Sequence, residues 1–273
     1  MLRVESKNGK TYYCDPEDRY YIERLREGQY QLTNWRYIKD LIVRRRNAID
    51  VGSNNACNAV HYSDYFQQVY CFEPFPYNQQ LWQKTIQSNL ISNCVLYPYA
   101  LGSYQHHAEF LTHPKNQGHN YVYYPECMTF KNGIWQKTKN RARNARVQIE
   151  IHTLDQYCFD QIDFIKIDVE GFEMSVLLGA EFTIKQERPV IQLELVSKQC
   201  RHYGYHPEDL VNLLRTWGYG MFSKYQGMID STFRSDAKYL YHREQRIKQE
   251  MDFFFIHESQ YKNWPAYKLV ADA

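Results

Sequence analysis

The amino-acid sequence predicts an α/β fold on a largely parallel sheet, and three observations carry that expectation. Residues Asn47 to Pro74 run as a short apolar strand around Asp50, a turn of small residues from Gly52 to Ala56, a helix, a second apolar run from Val69 to Phe72, and an acid, Glu73. That is a nucleotide-binding order of parts: the turn lets the backbone approach a ligand at a helix N-terminus, and an acid about 20 residues on is placed for ribose hydroxyls. Ile162 to Ile167 and Pro189 to Leu193 are near-continuous apolar runs, as strands covered on both faces by crossover helices are. Such runs then alternate with helical stretches, giving strands at about 48–51, 69–72, 94–97, 162–167, 189–195, 218–222 and 252–256. Ligands of these sheets bind outside the carboxyl ends of the strands, and Asp50, Glu73, Asp168 and Glu194 all fall there.

Residues 1–46 read as an N-terminal cap to a main domain at 47–273. Arg3 to Cys14 alternates around Asn8-Gly9, a strong hairpin signal. Tyr20 to Arg26 and Trp35 to Val43 have helical spacing, the second with Trp35, Ile38, Leu41 and Ile42 along one face. The alternation is interrupted by an insertion at about 104–153, where Ala108 to Leu111 and Val147 to His152 are expected to pair around a long polar loop. Its second half, 137–146, carries Lys137, Lys139, Arg141, Arg143 and Arg146 with no acid. Such a run is a solvated loop, or a seat for an anionic substrate or nucleic-acid backbone.

The composition excludes several classes. At 273 residues the chain can bury a large core, and a formal charge of +2 supplies no global field to recruit nucleic acid or membrane. Seven cysteines, an odd number with no Cys-x-x-Cys pair, point to reduced thiols and a cytoplasmic setting rather than a disulfide frame or zinc site. The N-terminus has no apolar leader, and no apolar run approaches the roughly 18 residues of a membrane span.

Three constellations need a common explanation. They are Asp50-Val-Gly52-Ser53-Asn54 with Phe72-Glu73-Pro74; Thr153-Leu-Asp155, Lys166-Ile-Asp168-Val-Glu170-Gly171 and Leu177-Leu-Gly179-Ala180; and Arg188-Pro189 with Glu194. In this order and spacing they closely resemble the motifs of the FkbM family of S-adenosylmethionine-dependent methyltransferases, over about residues 27–222. The resemblance implies a class I methyltransferase (Rossmann-like) sheet of seven mostly parallel strands in the order 3-2-1-4-5-7-6, helices on both faces and the last strand reversed. It also implies S-adenosylmethionine as cofactor. Gly52 and its neighbours Asp50, Ser53 and Asn54 would lie against the methionine portion, Glu73 would hold the ribose diol, and Ala100 and Leu101 would border the adenine. One departure stands out: the family usually has a second glycine where this chain has Ala56, and an alanine is uncomfortable where the backbone needs positive φ.

Methyl transfer to a hydroxyl needs alignment and a base. Asp168 and Glu170 follow the fourth strand, beside the methyl position the resemblance implies, and are the candidates to deprotonate or orient the acceptor, with Glu194 in support. Carboxylates so arranged can also hold Mg²⁺ or Ca²⁺, but the spacing demands no metal and none is assigned. Lys166, alone in an apolar strand, needs a counter-ion, and Asp50 on the adjacent strand is the expected partner. The function that follows is methylation, of O-methyl type, on a sugar, glycan or other small polar metabolite. Two other readings share features with it. An NAD(P)-dependent oxidoreductase or epimerase would use the same turn and acid, but the turn lacks Gly-x-Gly-x-x-Gly. A non-catalytic nucleic-acid-binding module would use the basic loop at 137–146, against the near-neutral charge and the retained carboxylates.

Overall fold

The computed structural model of the protein describes residues 1–28, 39, 41–112, 120–124, 128–131, 134–137, 146–223, 227–229 and 252–261. The chain opens with the hairpin β1 (Leu2–Glu5) and β2 (Thr11–Cys14), then α1 (Arg19–Arg26). The first repeat follows as β3 (Asn47–Val51), α2 (Cys57–Ser63), β4 (Gln68–Phe72), α3 (Pro76–Ser88) and β5 (Cys94–Tyr97). β6 (Ala100–Leu101) follows, and the insertion supplies β7 (His106–Leu111), β8 (Tyr121–Tyr123), β9 (Met128–Lys131), β10 (Ile134–Lys137) and β11 (Arg146–His152). The second half runs β12 (Ile162–Ile167), α4 (Glu173–Leu178), α5 (Glu181–Glu187), β13 (Val190–Glu194), α6 (Ser197–His202), α7 (Pro207–Thr216), β14 (Tyr219–Ser223), β15 (Gly227–Ile229), β16 (Asp252–His257) and α8 (Glu258–Tyr261).

The main sheet has the order β5-β4-β3-β12-β13-β16-β14-β15. β5, β4, β3, β12 and β13 run parallel to one another. β16 inserts antiparallel between β13 and β14, and β15 adds antiparallel to β14 at the edge. The sheet is therefore mixed and has eight strands rather than the seven expected; Gly227–Ile229 is too short and too glycine-marked to announce itself as a strand.

Two apolar clusters cover the two faces, as alternation along the strands requires. Ile49, Val51, Ile165, Ile167, Ile191 and Leu193 belong to one cluster. Ala48, Phe164, Val190 and Phe254 belong to the other, with α1, α2 and the hairpin residues Val4, Tyr12 and Cys14. Lys166, Gln192 and Asp50 share the parity of that second set, so a row of polar side chains crosses the sheet on the face the N-terminal segment covers.

The N-terminal segment is tied down by side chains. Tyr13 N–H donates to Thr85 Oγ1 at 3.0 Å, and Asn89 closes a two-way bond with the backbone of Thr11, accepting at 3.0 Å and donating at 2.6 Å. These bonds occupy groups a hairpin edge would otherwise expose. Arg46 fixes the starts of β3 and β12, its backbone N–H and guanidinium all donating to Asp163. Beyond the main sheet, β6, β11, β7 and β8 form a four-stranded sheet in that order, with the expected pairing of 108–111 against 147–152 in register Ala108 to Ile149. Arg146 pairs with Glu109 there at 2.5 Å. Most of the basic loop, 138–145, lies outside the described residues, as does most of the helix expected at 35–43. Cys14, Cys57, Cys71, Cys94, Cys158 and Cys200 are free thiols, and among the described residues no helix is long and apolar enough to cross a membrane.

Ala56, at the entrance to α2, has φ +72° and is fully buried. The left-handed conformation costs an L-residue about 1–2 kcal/mol, of which a glycine would return part, less about 0.4–1 kcal/mol for its freer unfolded chain. Ala56→Gly is expected to raise the melting temperature slightly and Ala56→Val to lower it. A fall with glycine would show that packing of the alanine methyl outweighs the backbone strain.

Candidate functional site

The end of β3 meets the end of β12 at a contact only glycine permits. Gly52 has φ +82°, and a Cβ built on it would lie 2.1 Å from the Asp168 carbonyl oxygen. The N–H groups of Gly52 and Ser53 both donate to Phe72 O at 3.0 Å, and Asp168 N–H donates to Val51 O at 3.1 Å, so the turn is pinned to both neighbouring strands. Trp82 Nε1–H donates to Ser53 Oγ at 3.1 Å.

Glu73, at the end of β4, is buried and braced. Its carboxylate accepts from Asn54 N–H at 2.9 Å and Phe75 N–H at 2.9 Å, with Asn78 Nδ2 at 3.4 Å. Burial pushes this carboxyl up to about 7, with the Phe75 and Asn54 amides pulling the other way. The side-chain oxygen of Asn78, Oδ1, is buried without a hydrogen-bond partner among the described residues.

A cavity of about 360 Å³ opens at this edge of the sheet. Gly52, Ser53, Asn54, Glu73, Ala100 and Leu101 line it, as do Asp168, Glu170 and Glu194. Every candidate residue but one thus meets at a single hollow. Asp50 is the exception: it is fully buried behind the turn and absent from the wall.

Lys166 departs from expectation. Its ammonium, 1% exposed, donates to Asp168 Oδ2 at 2.9 Å. Asp50 is its Cα partner in the β3–β12 ladder, yet among the described residues neither buried Asp50 oxygen meets a donor at good hydrogen-bond geometry, although Ser53 stands close enough to help lower the carboxyl. Residues 166 and 168 project to the same side, and a four-carbon stem carries the ammonium forward past Asp50 to the strand end. Burial alone would lower the Lys166 ammonium, but Asp168 and then Asp50 raise it above its ordinary value. Burial raises the Asp50 carboxyl, with Lys166 opposing it. The expected bond to Asp50 is therefore replaced by a bond to Asp168, with Asp50 held by the lysine's field.

One ligand atom from each of Asp168, Glu170 and Glu194 lies within 4.8 Å of the others, and these are the residues that could hold a divalent cation. Burial, then the charge of Asp168, pushes both Glu170 and Glu194 well above the usual carboxylate range. Gln199 Nε2 donates to Glu170, which stands at φ +56°, a strained conformation of the kind that collects at functional sites. Glu173 is structural: it is buried and accepts from the N–H groups of Val169 and Gly171 at 3.1 Å each, bracing the loop that carries Asp168 and Glu170.

The cavity also contains residues the sequence did not single out. Asp18 and Tyr21 come from α1, Asn58 from α2, Asn78 from α3, Phe110 and Val122 from the second sheet, and Asp252 from the start of β16. None sits in a motif; the packing of the cap and the insertion brings Asp18, Tyr21, Phe110 and Val122 there, and the helices and last strand of the main domain bring Asn58, Asn78 and Asp252.

A model of the FkbM methyltransferase domain matches residues 50–221, more than half of the chain. The chain belongs to the FkbM methyltransferase family. S-adenosylmethionine is the cofactor of that family. Among solved structures, an FkbM methyltransferase from Methylobacillus flagellatus KT is similar at 15% identity and TM-score 0.46, over 89% of this chain and 56% of that one. This chain thus spans little more than half the length of that protein. A methyltransferase from Streptococcus mutans in complex with SAH is similar at 10% identity and TM-score 0.44, over 82% of this chain and 94% of that one. No curated protein matches the chain.

Two outcomes follow from the geometry. Lys166→Met removes the cation between Asp168 and Asp50 and is expected to cost about 3 kcal/mol. In a double-mutant cycle with Asp168→Asn the two losses should be strongly non-additive; additive losses would mean the two side chains are not coupled. Glu73 gives a pH signature, because its folded value of about 7 stands above the ordinary 4.5. Between those values the folded state keeps a proton the unfolded chain has lost, so stability falls as pH rises. Relative to Glu73→Gln, the ligand-free wild type should lose up to about 3 kcal/mol between pH 4.5 and 7 and little more above. A stability gap equal at pH 5 and pH 7.5 would refute this.

Proposed function

We propose that this FkbM family member uses S-adenosylmethionine to methylate a hydroxyl group of a sugar, glycan or other small polar metabolite. The observation that carries this reading is the convergence of Glu73, the Gly52 turn and the Asp168–Glu170–Glu194 group on one cavity. The residues present suit the cofactor: Gly52 leaves room where a Cβ would clash, Glu73 offers a carboxylate for a ribose diol, and Asn58 presents a buried amide. Bound there, S-adenosylmethionine supplies an electrophilic methyl group on a positively charged sulfur.

The roles of the acids follow from their surroundings. Asp168 is held by Lys166 through Oδ2, which leaves Oδ1 to accept the proton of an acceptor hydroxyl. Glu170 and Glu194, held towards their neutral forms, orient the acceptor by hydrogen bonds. Phe110, Val122 and Phe172 supply an apolar wall to the same space, which suits the ring face of a saccharide.

Asp168→Asn is expected to lower turnover by about 10²- to 10⁴-fold while leaving S-adenosylhomocysteine affinity close to wild type, as read by calorimetry. Glu73→Ala should instead abolish most of that affinity. Normal turnover in Asp168→Asn would remove this residue from the role of base, and normal cofactor binding in Glu73→Ala would overturn the cofactor reading.

A further inference from the structure

We infer that the N-terminal segment completes the cofactor site: Asp18 and Asn58 hold the amino-acid head of S-adenosylmethionine, the carboxylate on its ammonium and the amide on its carboxylate. This rests on the cofactor reading above and deepens it.

Asn58 is the starting observation. It stands in the first turn of α2, is 5% exposed, lines the cavity, and its side chain makes no hydrogen bond among the described residues. A buried amide is ordinarily satisfied within the fold, so one left open against a cavity marks a place where a ligand completes the bonding. Its neighbour Asn55 shows the contrast, donating to Tyr13 O at 3.0 Å and accepting from Tyr21 O–H at 2.5 Å.

Asp18 lines the same hollow. The Tyr21 to Asn55 bond fastens α1 to the glycine turn, and this brings the residue at the start of α1 to the cavity wall. Asp18 accepts from Tyr21 N–H at 3.2 Å as the helix cap, and a carboxylate, with about four lone-pair sites, can take a ligand ammonium beside the protein partners it already has.

The cofactor reading places the nucleoside at Glu73, Ala100 and Leu101 and the methionine portion at the Gly52 turn; Asn58 stands on the helix that leaves that turn, and Asp18 precedes the helix bonded to it through Tyr21 and Asn55. The tail that S-adenosylmethionine carries beyond its sulfur ends in one ammonium and one carboxylate. An anionic acceptor and an amide donor match that pair, and Asp18 also offsets the cofactor's positive charge.

The test separates head from nucleoside by using S-adenosylhomocysteine and 5′-methylthioadenosine, which lacks the amino-acid head, as calorimetric ligands for the full chain. Asn58→Ala and Asp18→Asn, the latter keeping a helix cap, should each weaken S-adenosylhomocysteine about tenfold and leave 5′-methylthioadenosine unchanged. Asn58→Asp should weaken the former further by setting carboxylate against carboxylate. Retained 5′-methylthioadenosine binding also shows that each variant is folded. If either Asn58→Ala or Asp18→Asn keeps the wild-type ratio of the two affinities, the inference fails. Wild-type protein that binds neither compound overturns the cofactor reading and this inference with it.

Discussion

The structure depends on the close meeting of two strand ends. The β3 turn can lie against the Asp168 backbone only because residue 52 lacks a side chain, the space for a Cβ being filled by a carbonyl oxygen at 2.1 Å. That contact fixes the distance between the glycine turn and the acidic loop. Asp168 N–H to Val51 O sets the register, and the Lys166 ammonium holds the Asp168 side chain over it. The two motifs are separated by more than a hundred residues, yet they form one rigid corner, and the cavity takes its shape from it.

Around this corner the protein concentrates negative charge. Asp50, Asp168, Glu170, Glu173, Glu194 and Asp252 share a neighbourhood in which, among the described residues, Lys166 is the buried cation. Burial, then the charge of Asp168, pushes the Glu170 and Glu194 carboxyls above the usual carboxylate range, so environment and not residue type sets these acids apart. Glu173 spends its oxygens on backbone amides and Tyr205, and serves the loop.

Much of this was legible in the sequence where a physical rule leaves few choices. Apolar runs such as Ile162–Ile167 have to be buried strands, and an acid at the end of β4 has to face the sheet's carboxyl edge. The partner of Lys166 was not legible, because ladder register fixes which backbones are adjacent, whereas a long side chain chooses its end point by rotamer. β15 escaped because three residues around a glycine carry too little pattern. Asp18, Asn58 and Asn78 escaped because a polar residue on a helix looks the same whether it meets solvent or a cavity. Ala56 shows the opposite case: its conflict was visible, and the backbone keeps the left-handed conformation regardless.

The side-chain bonds that secure the N-terminal hairpin bear on the order in which the molecule assembles. Thr11 and Tyr13 are held by Asn89 and Thr85, partners 78 and 72 residues further along the chain. The hairpin therefore cannot make these bonds until α3 has been made and seated on the sheet. An isolated two-stranded hairpin is marginal in water, and closing so long a loop carries an entropic cost. The hairpin thus depends on α3 for its seat, and the wall that Asp18 and Tyr21 give the cavity depends in turn on a contact made far along the chain.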